Sequence, residues 1–191
     1  MLTFLIGLLV FLGIHSISIV APGWRDAQLS RMGENKWKGL YSLVSLVSFG
    51  AMLYGYGVAR HAPVMVYMPP AALRPVALLL MVPVFPLLIA AYFPGRIKHW
   101  VRNPMLLAVI LWSVAHLSTN GTLADLLLFG GFLVWAVADL IAVSRREHPR
   151  KVPGAPPSAI NDVIVVVGGL GLYAFMLLWA HAHMVGVSPL R

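Results

Sequence analysis

Six apolar runs, each close to the length that crosses a bilayer, constrain this chain more than any other feature. They cover approximately residues 2–21, 39–59, 71–93, 104–119, 122–143 and 161–184. Runs of roughly 20 residues without charge read as transmembrane helices, because only an internally hydrogen-bonded helix satisfies its backbone in hydrocarbon. Charged residues make up 10% of the 191 positions and hydrophobic residues 60%, which excludes an ordinary soluble domain. The expectation is an all-α, polytopic membrane helix bundle of about six transmembrane helices. Residues 1–191 are read as a single membrane domain, with the first run a retained helix rather than a signal peptide.

The net charge of +8 invites a nucleic-acid reading, and the positions of the charges reject it. Arg25, Arg31, Lys36 and Lys38 fall in the first loop. Arg96, Lys98 and Arg102 fall in the third, and Arg145, Arg146, Arg150 and Lys151 in the fifth. Only Arg60, Arg74 and Arg191 of the 14 basic residues lie on the other side. This bias is the positive-inside asymmetry of a six-helix membrane protein with both termini outside the cytoplasm. Membrane lipids, anionic headgroups in particular, are the implied partners, and no nucleic acid is.

Smaller signals punctuate the loops. Trp24 to Met32 places Trp24, Leu29 and Met32 among charges, the pattern of a short interfacial helix, with Trp24 and Trp37 at belt positions. Pro83 and Pro86 interrupt the third run and predict a kinked structural helix. His148, Pro149, Pro153, Gly154, Pro156 and Pro157 mark a proline-rich connector.

The fourth run carries the chemistry. Trp112, Ser113, His116 and Asn120 follow one another at helical spacing, so they share a face. Imidazole and carboxamide groups in hydrocarbon cost several kcal/mol unless they are paired or ligate something. A second histidine, His15, lies inside the first run among Gly13, Ser16 and Ser18. The competing reading of each is a core histidine bonded to a serine or a carbonyl. Together they pass a depth test. His15 lies about 20 Å below the outer edge of its span and His116 about 18 Å above the inner edge of its own. In a core of about 30 Å their depths differ by about 8 Å, an offset that a tilted porphyrin between two axial imidazoles can meet. The absence of cysteine removes thiolate catalysis, iron–sulfur clusters and covalent haem attachment.

The other donors read as structural. His61 and His99 sit at span ends, His181 and His183 near the outer end of the sixth run, where a belt role is the default. Asp139 pairs most simply with Arg145 or Arg146, and Asp125 and Asp162 sit at helix starts, where a carboxylate suits free N–H groups. No phosphate-cradling glycine loop, zinc-protease motif or nucleophile elbow occurs.

At these residues the sequence resembles the NnrU family of bacterial membrane proteins, which includes the plant 15-cis-zeta-carotene isomerase. The resemblance rests on Ile14-His15-Ser16, Arg25, Gly33-Glu34, Arg102-Asn103-Pro104, Trp112-Ser113-Val114-Ala115-His116 and Asn120-Gly121, with the His181-to-Gly186 ending, and spans nearly the whole chain. It implies haem b held between two histidines that match His15 and His116, with Ser113 or Asn120 orienting an imidazole or touching the porphyrin edge. Where the plant pattern has a cysteine one turn before the second histidine, this chain has Ser113, and a hydroxyl is a poor iron ligand. The resemblance implies a link to denitrification, through nitrite and nitric oxide reduction and its proteins. Two other readings stay open: a cis–trans isomerase of a lipophilic polyene such as zeta-carotene, and a cofactor-free membrane accessory protein.

Overall fold

The computed structural model describes residues 1–146 and 154–190. Arg150 and Lys151 of the fifth loop, with His148, Pro149 and Pro153 of the connector, lie outside the described residues. Among the described residues the fold is all-α, and five helical segments are long and apolar enough to cross a membrane: Leu2–Val20, Glu34–Ala59, Ala71–Ala90, Leu123–Ser144 and Ile160–Val185. The expected fourth span forms a helix over Pro104–Leu117 that is 14 residues long. At 1.5 Å per residue it reaches about 21 Å, short of a hydrocarbon core of about 30 Å.

The residues divide into two compact units, Met1–Met68 with Gly121–Ala142, and Pro69–Asn120 with Val143–Arg191. In the first, α1 (Leu2–Val20) runs into α2 (Pro22–Met32), whose first residue is a proline, and then into α3 (Glu34–Ala59). The expected short helix after Pro22 is therefore present, and the Trp24 and Trp37 rings meet edge to face at 6.0 Å. α1 and α3 approach through glycine. A Cβ on Gly7 would run into the backbone of Met52 and the Ser48 carbonyl, and one on Gly55 into the backbone of Phe4. Phe4 and Met52 are almost wholly buried at this crossing. Lipid tails give apolar helices no reason to associate, so this backbone-close packing supplies the contact.

α8 (Leu123–Ser144) completes the first unit. Its start is a capping box: the Thr122 amide and hydroxyl donate to Asp125 Oδ2 (3.1 and 2.6 Å), and the Asp125 amide donates back to Thr122 Oγ1 (3.2 Å). The loop before the second unit crosses this start, with Leu123 N–H on the Val64 carbonyl (2.8 Å) and Val66 N–H on the Gly121 carbonyl (2.9 Å).

In the second unit, α4 (Arg74–Met81) and α5 (Val84–Ala90) are the two halves of the proline-broken span. α6 (Arg96–Val101) and α7 (Pro104–Leu117) follow, then α9 (Ile160–Phe175), a π-helical turn over Met176–Ala180, and α10 (His181–Val185). α9 meets α5 at Gly169, where a Cβ would collide with Pro86. Val84, Leu87 and Ala108 form a buried cluster, against which Leu107, Leu111 and Trp112 pack.

Candidate functional site

Each unit holds one of the expected histidines. In the first, His15 is partly buried near the end of α1, and its Nδ1 donates to the Phe11 carbonyl one turn back at 2.7 Å. A carbonyl can only accept, so this bond places the proton on Nδ1 and leaves Nε2 as the basic, ligating nitrogen. Three aromatic rings surround the imidazole: Phe11 at 4.2 Å, Tyr41 edge-on at 5.3 Å and Trp135 edge-on at 6.0 Å. The Trp135 indole N–H is buried with no hydrogen-bond partner. Tyr41 and Trp135 carry no motif, and a sequence gives no sign of which aromatics of α3 and α8 gather around α1.

In the second unit, His116 repeats the arrangement, its Nδ1 on the Trp112 carbonyl at 2.9 Å and its ring 5.2 Å from the Trp112 ring. Ser113, one turn before it, is fully buried, and its hydroxyl has no hydrogen-bond partner. A buried hydroxyl without a partner costs about 1–3 kcal/mol, and such an atom in a native protein calls for a ligand or a water. Asn120 turns back on the helix end instead. Its amide donates to the His116 carbonyl (2.9 Å) and to Thr119 Oγ1 (3.2 Å). It therefore holds the backbone carbonyl of His116.

The residue that sequence reading assigned to the membrane belt, and that the fold brings to this site, is His181. Its ring lies 6.5 Å from that of His116, centroid to centroid, with 30° between the planes. His183 faces elsewhere, stacked on Trp179 at 4.3 Å. Spacing within one helix could not separate the two, because the outcome depends on how α10 packs against α7.

The carboxylates hold helices in place. Asp125, 6% exposed, also accepts from the Tyr56 hydroxyl at 2.5 Å, which fastens the end of α3 to the start of α8. Tyr67, outside the spans, has its phenol pushed above the ordinary tyrosine value by burial and then by the Asp125 charge. Asp162, at the start of α9 as expected, accepts from the amides of Arg96 (3.0 Å) and Ile97 (3.1 Å), so it caps α6 rather than its own helix. Asn161 is buried beside it, with its amide on the carbonyls of Pro94 (2.8 Å) and Pro156 (2.9 Å).

Arg102-Asn103-Pro104 forms a strained turn. Arg102 has φ 62° and ψ −55°, and Asn103 N–H closes back on the Val101 carbonyl at 2.7 Å. That is a positive-φ γ-turn, a conformation that non-glycine residues rarely adopt. It lets α7 start at Pro104, whose missing N–H is no loss in a first turn.

Among the described residues no group of three or more His, Cys, Asp or Glu side chains is placed to hold a metal ion. The donors present are single imidazoles with a fixed tautomer, one of them beside an orphaned hydroxyl, and that set fits an iron already held by a porphyrin. The family described as NnrU protein matches residues 3–189 of this chain. No curated protein and no solved structure matches it.

Proposed function

This chain belongs to the NnrU family of membrane proteins, and on that premise we propose that it binds haem b. His15 and His116 are the imidazoles that the family resemblance puts forward as iron donors. The geometry supports the reading: in both residues Nδ1 is engaged by a helix carbonyl, which leaves Nε2 as the atom that would ligate, and because His183 Nδ1 is held by the Trp179 carbonyl in the same way, it is the family resemblance that singles out His15 and His116. Metal-bound histidines are characteristically held this way, with the other ring nitrogen donating to a carbonyl or carboxylate. The unpartnered Ser113 hydroxyl and Trp135 indole N–H lend support, as buried polar atoms that a bound group would satisfy.

When bound, a haem b supplies a one-electron couple and an iron that takes small ligands such as nitric oxide. The chain's own part is to hold the imidazoles, keep the Nδ1 proton in place and surround the rings with aromatic side chains that exclude water. This fits a role beside nitrite and nitric oxide reduction in denitrification. The setting we propose is the bacterial inner membrane, with the basic loops cytoplasmic and both termini periplasmic.

The test is an absorption spectrum of the detergent-purified protein from haem-sufficient cells. A Soret band is expected, lost or altered in His15→Ala and in His116→Ala while both variants still insert in the membrane. A wild-type protein without the band would refute the haem.

A further inference from the structure

We propose that residues 64–68 form an apolar strap that lies in the headgroup–acyl boundary of the bilayer, tied by its backbone to the start of α8, so that the lipid surface itself is the partner of this segment. The inference makes no use of haem and needs only that α3 and α8 span the membrane.

Composition and exposure are the first argument. From His61 to Leu73 the chain carries no Asp, Glu, Lys or Arg, and the only polar side-chain group in Val64-Met65-Val66-Tyr67-Met68 is the Tyr67 phenol. Val64, Met65, Val66 and Met68 are each between 51% and 86% exposed. A single exposed apolar residue needs no explanation, but four in one short segment make a patch, and such patches mark contact with a membrane or a partner. Tyr67 is the exception. It is partly buried, and burial, then the Asp125 charge, push its phenol up, which places its polar end on the protein side.

The backbone is the second argument. Non-helical chain is tolerated at the edge of hydrocarbon only where its N–H and C=O groups have partners. Here the amides of Val66 (2.9 Å) and Tyr67 (3.1 Å) both donate to the Gly121 carbonyl, and the Leu123 amide donates to the Val64 carbonyl (2.8 Å). Pro63, Pro69 and Pro70 bracket the segment and bring no N–H at all.

Depth and continuity select lipid over a second protein. α8, with 22 residues, is about 33 Å long, close to a hydrocarbon core of about 30 Å. Its start therefore lies near the boundary, and the strap pinned to that start lies there with it. The patch also continues the apolar surface of the spans. Tyr54 and Val58 near the end of α3 and Leu126 in the first turn of α8 are exposed, and on a spanning helix such side chains face lipid.

The chain has no cysteine, so single cysteines can be placed in the otherwise natural sequence. Val64→Cys, Val66→Cys and Met68→Cys each carry a nitroxide label on the full-length protein, in lipid nanodiscs that hold one copy apiece. Lys36→Cys, exposed at the start of α3, is the water reference, and Leu46→Cys, exposed in its middle, is the lipid reference. Paramagnetic resonance reads collisions with a water-soluble nickel chelate and with oxygen, which concentrates in hydrocarbon. Size-exclusion profiles check the fold, and the backbone bonds that tie the strap survive all three substitutions. The strap labels are expected to meet nickel several-fold less often than Lys36→Cys does, and oxygen at a rate nearer that of Leu46→Cys. Nickel collisions equal to those at Lys36→Cys would refute the strap. Low rates with both reagents would put protein over the segment and refute the lipid surface as its partner. No haem enters the measurement, so the iron donors of His15 and His116 stand or fall separately.

Discussion

Tyr173 on α9 donates its hydroxyl hydrogen to the carbonyl of Leu78 on α4 at 3.0 Å. The bond repairs a proline break. Pro83 has no N–H, and Val82 N–H reaches only three residues back, to Leu79 (3.2 Å), which leaves the Leu78 carbonyl without its usual helical donor. In hydrocarbon such a carbonyl has no water to turn to, so a neighbouring helix must satisfy it. The expected interruption of the third run at Pro83 is present, and the tyrosine satisfies the carbonyl that it frees.

Tyr173→Phe should therefore lower the stability of the detergent-solubilised protein by about 1 kcal/mol, the net worth of one hydrogen bond whose acceptor is left buried. A thermal or denaturant melt reads the change. A melt equal to that of wild type would show the carbonyl finding another donor.

Bulk at the α1–α3 crossing should be costly. Gly55→Val forces a side chain into the Phe4 backbone and should destabilise by roughly 1–3 kcal/mol, as overpacking does. Gly57→Ala, where a Cβ meets nothing within 4 Å, serves as the control and should stabilise slightly, by about 0.5–1 kcal/mol, as alanine does in a helix interior. Equal melting temperatures for the two variants would contradict the close approach.

Arg102→Gly should relieve strain. A positive-φ turn of this kind stores about 1–3 kcal/mol when a side chain is present, and glycine adopts it without that cost. Part of the gain is offset by the greater freedom of glycine in the unfolded chain, so a rise of about 1 kcal/mol is expected in the same melt. A loss of stability would mean that the Arg102 side chain contributes more than its backbone costs.

Topology follows from the basic loops. Reporter fusions after Lys38 and after Arg150 should both report the cytoplasm, because 11 of the 14 basic residues fall in the first, third and fifth loops. Opposite reports would put an odd number of crossings between them. That outcome would single out the 14-residue α7 as a helix that does not cross.

The sequence by itself determined the membrane class, the helix positions to within a few residues for most spans, the short helix after Pro22, and the capping role of Asp125. These are local properties. Hydrophobic run length, proline position and the i, i+3 spacing of a capping box act within one segment, so one segment suffices to read them. His15 and His116 were legible for the same reason, as polar groups in runs that otherwise exclude them. What only the tertiary structure decided is which side chains from other helices meet them. His181 lies by His116 although 65 positions apart in sequence, Asp162 caps α6 instead of α9, and Tyr173 serves Leu78 across a break. Each depends on how two helices rotate and slide against each other. In a membrane that is set by small-residue contacts and by the need to satisfy every freed backbone group, and neither leaves a periodic trace in the chain.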